Sequence, residues 1–445
     1  MTTGMLASAV VALVAAGGPA ESKLRRGAPA KADTARAAAA VATPAPPAAL
    51  PDVADMPAPD VPAIAETFQL VRCEPTWWAG VDYLSWWTKN LPVKTPFVST
   101  GPESDPFAGA LDRPGTRVLY GDDPIDLGPL SGLRLRAGLW LDDAATVGAE
   151  VTGMVLEEGR ESATFSGGSV GRPFFGLPFV NARTGQQNVF FVSQNFNDPA
   201  VSAFLTGDLD ITTKSRYWAY EINGLVSLYR SPDAWVVGLL GFRSMGLDES
   251  VTFTESLRPL APGSLTFGGA PVLTTQRVGT VDDFQTENRF YGPQVGTRVG
   301  TAFGDLLLTA HATVALGVTR QERTIEGSSS LSSGGRTLAT LPGGVFALPS
   351  NIGRESQSDF SVVPEAGLGL DYQFTPWLTA KFGYNFVYWN SVVRATRQVD
   401  STLDPVQVPT DVSYGTAPSL GRPSPSLRTS DFWAQGINFG FEIRR

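Results

Sequence analysis

The sequence predicts an all-β protein, an antiparallel up-and-down transmembrane β-barrel of about ten strands with short turns at one end and long loops at the other. Three observations carry that expectation. Segments with period-2 alternation recur ten times between Trp77 and the C-terminus, and the connections between them alternate short and long. No apolar run approaches the roughly 20 residues that a membrane helix needs. If this chain crosses a membrane, it must do so with strands.

Bulk composition agrees. The 445 residues are 42% hydrophobic and only 17% charged, with 47 Gly and 34 Pro to make turns. A net charge of -9 without a Lys/Arg patch excludes nucleic acid as a partner. The one cysteine, Cys73, allows neither an internal disulfide nor a cysteine metal site. Its context, "LVRC", far from Met1, is also wrong for lipoprotein acylation.

Taken in order, the chain opens with an apolar run from Met5 to Ala16 and small residues ending at Ala20, the h-region and cleavage region of a secretory signal over residues 1–20. The signal is atypical in lacking Lys or Arg before the run. Residues 21–75 are Ala and Pro with scattered charges ("TPAPPAALPDVADMPAPDVPA"), a composition that builds no core and predicts a disordered spacer. The barrel domain is expected over 76–445.

Its first strand is "WWAGVDYLSWW", Trp77 to Trp87. Trp77, Ala79, Val81, Tyr83, Ser85 and Trp87 share one face, so only Trp77 and Trp87 of the four rings can face lipid. They lie ten positions apart, close to the 9–11 residues of a tilted membrane strand, and are read as its two girdles. Trp78 and Trp86 turn inward and narrow the lumen.

Later strands repeat the pattern. In "GLRLRAGLWLD", Leu133, Leu135, Ala137, Leu139 and Leu141 oppose Arg134, Arg136 and Gly138. In "LLLTAHATVALGV", Leu306 to Val318 at every second position oppose Thr309, His311 and Thr313. In "LTAKFGYNFVY", Leu378, Ala380, Phe382, Tyr384 and Phe386 oppose Thr379, Lys381, Gly383 and Asn385. In "GINFGFEI", Ile437, Phe439, Phe441 and Ile443 oppose Asn438, Gly440 and Glu442. Each apolar face is continuous and aromatic, while each opposite face is glycine-bearing and charged.

Strands near 129–143 and 146–159 are joined by "DDAA", 216–230 and 234–257 by "SPDA", 285–304 and 306–327 by "GD", and 356–375 and 377–395 by "TP". The intervening connections, about 89–128, 160–215, 258–284, 328–355 and 396–430, are long and rich in Gly, Ser, Pro and Thr. A soluble β-sandwich also alternates, but its turns come at more regular spacing. Strict short-long alternation with an even strand count fits an outer-membrane barrel with both termini in the periplasm. Twelve strands remain an alternative, because "NVFFVSQNF" and "SAFLTGDLDI" read as an extra hairpin.

The ordered motifs "WWAGVDYLSWW", "LPVKTPFVSTG", "GLWLDDAATVGAEVTGMVLEE", "YWAYEINGLVSLYR", "GLLGFRSMGLDESV", "NRFYGPQVG", "SNIGRESQSDFSVVPEAGLGLDYQFTPWLTAKFGYNFVYWNSVVR" and "DFWAQGINFGFE" together resemble the family of bacterial β-barrel porins designated seventh in its series. The resemblance runs from Trp77 to the C-terminus. It implies an outer-membrane barrel presumed to be a porin, with outer-membrane lipids and the barrel assembly machinery as partners. The ending "FGFEIRR" departs from the aromatic last residue usual in such proteins, so that either Phe441 serves instead or assembly tolerates the two arginines.

With the apolar face toward lipid, the lumen is expected to receive Asp82, Arg134, Arg136, Glu150, Glu221, Asn223, Gln294, Arg298, His311, Glu365, Asp371, Lys381, Asn385, Asn438 and Glu442. Rings of charge set selectivity in a pore. Yet ten strands enclose a small interior, and opposite charges across it can pair into a plug. The leading expectation is passive diffusion of small hydrophilic solutes through the lumen, and the alternative is a non-conducting barrel acting as adhesin or structural surface protein through its long loops.

Catalysis is not expected. His311, the only histidine, sits mid-strand with no Asp two residues before it and no Ser/His arrangement nearby. The glycine-rich "GGVFALPSNIG" and "SSSLSSGG" precede no helix and so are not phosphate loops. Asp122, Asp123 and Asp126 in "YGDDPIDLG" are expected to be solvated rather than to bind calcium. No cofactor or metal is expected.

Overall fold

The computed structural model describes residues 76–197 and 202–445. The expected signal at 1–20 and spacer at 21–75 lie outside the described residues.

Ten strands pair in chain order: β1 (Trp77–Thr88), β2 (Leu130–Trp140), β3 (Val147–Leu156), β4 (Ser202–Arg230), β5 (Ala234–Pro259), β6 (Gln276–Phe303), β7 (Leu306–Ser333), β8 (Gly353–Thr375), β9 (Leu378–Val393) and β10 (Thr429–Arg444). Every pairing is antiparallel, and β10 returns to β1 with Val81 opposite Phe441 and Tyr83 opposite Phe439. The ring is closed, so no strand edge meets lipid unpaired. This is an up-and-down β-barrel. Among the described residues no helix is long and apolar enough to cross a membrane.

Both described ends of the chain lie at the short-turn end, where Trp77 N donates to Arg445 O at 3.1 Å. The turns there are 141–146, 231–233, 304–305 and 376–377. At the opposite end the connections span 89–129, 157–201, 260–275, 334–352 and 394–428.

An apolar band circles the outside. It includes Val81, Tyr83, Leu133, Leu135, Val151, Ile222, Leu240, Val295, Leu316, Leu368, Phe382 and Phe439, all exposed. Large exposed apolar side chains arranged all round a barrel mark a lipid-facing surface. Trp77 and Trp87 stand exposed at its two edges on β1, while Trp78 and Trp86 are buried inside.

β4 and β6 begin fourteen and nine residues before the starts the sequence pattern suggested, whereas β5 and β7 run only two and six residues past their expected ends. β4, β5, β6 and β7 run 29, 26, 28 and 28 residues, two to three times a membrane crossing. The reason is an inversion of polarity partway along each. On β5 the outward side chains pass from Leu240 and Phe242 to Asp248, Ser250, Thr252 and Thr254, while the inward ones pass from Gly241 and Arg243 to Leu247, Val251, Phe253 and Leu257. On β4 the change falls between Trp218 and Arg216, on β6 between Tyr291 and Arg289, and on β7 between Val318 and Arg320. Beyond those points the wall follows the rule of a water-soluble sheet, apolar within and polar without.

Residues Gln187–Asn197 do pair with the top of β4, Gln194 opposite Leu205. That hairpin stands above the apolar band, and the ring keeps ten strands. The wall is therefore uneven: β4 to β7 rise well past the apolar band, whereas β1 and β2 stop near its edge.

Candidate functional site: the barrel interior and its cap

Four layers fill the interior. Nearest the turns, Trp78, Trp140, Leu225, Val237 and Leu239 pack together. Gly138 makes this possible, since a Cβ there would lie 2.2 Å from the Trp78 ring.

Above them lies a polar layer that gathers the inward residues the alternation picked out. Asp82 accepts Arg134 Nε at 2.7 Å and Arg136 Nη2 at 2.9 Å. Glu150 receives two bonds from Arg298, at 2.7 and 3.1 Å, and one from Trp78 Nε1 at 3.1 Å. Glu221 accepts Gln294 Nε2 at 3.0 Å, and the same amide reaches Asn223 at 2.6 Å. Lys381 sits between Asp371, 3.0 Å away, and Glu442, 3.2 Å away. Asn385 links Arg134 to His311, whose Nε2 lies 3.4 Å from Glu365. Asn438 is buried beside Gly383.

One member of this layer was not among the sequence candidates. Arg243, 1% exposed, joins Glu221 at 2.6 Å to Glu365 at 2.5 Å. The signal was present, because "GLLGFR" places Arg243 in phase with Gly241 and opposite Leu240 and Phe242. Several of these bonds are chords rather than neighbour contacts. Arg298 on β6 reaches β3, Arg243 on β5 reaches β8, and Arg134 on β2 reaches β9. Each skips two strands of the ring, which only a narrow interior permits.

The third layer is aromatic. Leu84, Trp86, Tyr217, Met245, Phe290, Val363, Trp389 and Phe432 project inward from six or more strands and are at most 2% exposed. Tyr217 on β4 and Phe432 on β10 meet across the ring with centroids 5.5 Å apart. Phe290 packs edge-on against Trp389, whose Nε1 donates to Thr319 Oγ1 at 2.8 Å.

The fourth layer is a cap made by loops turned inward. After β9 the chain bends into the barrel and forms a short helix, α1 (Ala395–Gln398). Asn288 on β6 clamps its start by pairing with Val393 as a strand would, Nδ2 donating to Val393 O at 2.8 Å and Oδ1 accepting Val393 N at 2.6 Å. Glu249 on β5 accepts Arg394 Nε at 2.8 and 2.9 Å, and Arg394 Nη2 donates to Lys89 O at 3.0 Å. Arg394 and Glu249 are 1% and 0% exposed at the side chain.

A second finger, residues 343–348, enters beside it, with Val345, Phe346, Ala347 and Leu348 at most 1% exposed. Asp282 on β6 accepts the N–H groups of Val345, Phe346 and Ala347 at 2.7 to 3.2 Å. Gly344 lets the backbone come this close, since a Cβ there would lie 2.1 Å from Asp282 Oδ1. Burial pushes the Asp282 carboxyl up to about 7, against the pull of those N–H groups. Burial, with Asp282 adjacent, pushes Glu255 up to about 8.

The other flagged carboxylates do not join this site. Asp122, Asp123 and Asp126 are exposed. Among the described residues no group of three or more His, Cys, Asp or Glu is placed to hold a metal ion.

No curated protein matches the sequence. Among solved structures, the outer membrane protease OmpT from Escherichia coli is similar at 8% identity, with 84% of this chain and 97% of that chain covered and a TM-score of 0.34. The CymD monoaromatic hydrocarbon channel matches at 8% identity over 83% and 89% with a TM-score of 0.17, and a Pseudomonas aeruginosa FadL homologue at 10% over 83% and 90% with a TM-score of 0.19. Residues 78–444 match the family described as "Putative beta barrel porin-7 (BBP7)", almost the whole of the closed ring with its inward ion pairs and outward apolar band, and the chain belongs to that family of bacterial outer-membrane barrels.

Proposed function

We propose that the protein is an outer-membrane barrel closed to free diffusion, which holds a rigid loop cap at the cell surface for structural or adhesive contact. The single observation that carries this reading is the aromatic layer, where Tyr217 and Phe432 touch across the ring above a polar layer that is already internally paired. Six carboxylates there face five guanidinium or ammonium groups and His311, a near balance that suits a structural network better than an ion-selective lining. The termini and short turns are assigned to the periplasm and the cap to the exterior, with outer-membrane lipids around the band and the barrel assembly machinery as the inserting partner. No catalytic role is assigned to His311, whose partners Glu365 and Asn385 are enclosed with it.

Passive passage of small hydrophilic solutes is the second reading. It is favoured by Lys381 and Arg298, 18% and 27% exposed at the side chain although they point inward, and it requires the cap to move. Planar-bilayer recording on refolded full-length protein separates the two. The closed barrel gives no sustained conductance steps at moderate voltage. Stable steps that shift when Arg134 or Glu365 is replaced would overturn closure and establish the pore.

A further inference from the structure

The outer face carries one irregularity in its apolar band. Between β1 and β2 on one side and β4 on the other, β3 ends at Leu156 and the chain resumes pairing with β4 at Gly159, opposite Ser215; at this break lies a groove of about 460 Å³. Its lower part is apolar, lined by Tyr83, Leu133 and Val155, and its rim carries Glu157, Glu158 and Arg216. The groove thus straddles the edge of the band. Leu133 and Val155 belong to the exposed apolar surface, and Arg216 is the first charged outward residue of β4 above Trp218.

The rim charges are unequal in how they are satisfied. Glu158 is paired with Lys214 at 3.1 Å. Glu157 accepts the Ser131 N–H at 2.7 Å through one oxygen, which leaves the other open. Arg216 is exposed and, among the described residues, its side chain makes no ion pair or hydrogen bond. Other outward cations at this level are paired: Arg289 with Asp248, and both Arg320 and Arg354 with Glu322. An unpaired guanidinium above an apolar trough, with a half-free carboxylate beside it, complements a lipid that has a phosphate, an ammonium group and an acyl chain.

We propose that this groove holds one zwitterionic phosphoglyceride with a primary ammonium head group, its chain along Leu133 and Val155, its phosphate on Arg216 and its ammonium donating to Glu157. The volume is within the range of ordinary ligand sites, and the trough lies at the break between the two runs that pair with β4, Val147–Leu156 and Gly159–Ser166. This site concerns the outer surface and stands whether or not the lumen conducts.

Native mass spectrometry of the full chain in detergent tests it, with palmitoyl-oleoyl phosphatidylethanolamine, phosphatidylglycerol and phosphatidylcholine as separate probes. The wild type retains one phosphatidylethanolamine under activation that strips the other two lipids sooner. Arg216→Gln weakens retention about tenfold, the size of one lost charge-assisted bond. Glu157→Gln removes the preference for phosphatidylethanolamine over phosphatidylglycerol. Val155→Trp, which fills the trough, abolishes retention while the heat-dependent gel shift persists. Arg320→Gln, outside the groove, changes nothing. Equal retention by wild type and Arg216→Gln, or an equal loss in Arg320→Gln, overturns the proposal, as does tighter retention of phosphatidylglycerol by the wild type.

Discussion

At the scale of single residues, Arg243 is the position on which the polar layer depends most. Its guanidinium is fully enclosed and holds Glu221 and Glu365 together. Removing one partner of such a pair leaves charge stranded in low dielectric, typically at about 3–5 kcal/mol. Arg243→Ala is therefore expected to lower the temperature of the heat-dependent gel shift markedly, and Arg243→Met, paired with Glu221→Gln and Glu365→Gln, to recover much of it. The cap carries a pH dependence of opposite sign to an ordinary surface carboxylate. Glu255 and Asp282 have folded values of about 8 and 7, above their usual range, so the folded state holds more protons than the unfolded chain between about pH 4 and 8. Their contribution is complete below the usual carboxylate range and is lost as pH rises through 7 and 8. Denaturation midpoints at pH 5.5, 7 and 9 should fall in that order, and Glu255→Gln should flatten the trend. Much at this scale was legible in the sequence: strict alternation put all fifteen inward candidates on the interior side. Arg243 obeyed the same rule and was reachable by it, whereas Glu249 and Asn288 lie in expected strands but beyond the point where the rule reverses, and Asp282 fell in an expected loop.

At the scale of elements, the inserted segment after β9 is the part most open to perturbation. It is fixed by Glu249 on Arg394 and by Asn288 on Val393, two clamps from two different strands. Glu249→Ala is expected to free α1 while leaving the ring intact, and to show in faster hydrogen exchange at residues 393–398 with unchanged protection in β9 below Tyr388. Gly344→Val should displace the neighbouring finger, because its side chain would occupy the place of the Asp282 carboxylate. Strand number and the four tight turns were legible in the sequence because each membrane crossing keeps one phase of alternation. The upper part of β4, residues 202–215, and the start of β6, residues 276–284, were not. A change of solvent from lipid to water swaps which face is apolar, and a window reading across the swap sees Thr, Ser and Asp with no consistent face.

At the scale of the whole molecule, ring closure rather than any loop defines the fold, and the orientation assigned above has a direct test. An epitope inserted between Gly334 and Gly335, at the tip of a long-loop hairpin, should be reached by antibody on intact cells, whereas one inserted at Gly304 should need permeabilisation. Accessibility in the reverse sense would turn the molecule over. Class and architecture could be anticipated because ten weak strand signals share one spacing rule. The inward course of the loops could not, because it depends on contacts such as Glu249 with Arg394 and Asp282 with Ala347 that join residues far apart in the chain.

The reversal of polarity along β4 to β7 also acts as a depth gauge. On β4, β6 and β7 an aromatic or aliphatic outward residue is followed two positions on by a charge: Trp218 by Arg216, Tyr291 by Arg289, Val318 by Arg320; on β5 the first outward charge, Asp248, stands opposite Arg216. Two residues correspond to about 5 Å of height in a tilted strand. Sinking further would drive four charges into hydrocarbon together, and rising would bare the aromatic edge to water. The barrel is thereby tuned to one bilayer thickness, and a thicker membrane must thin around it, most of all on the side where the wall is tall.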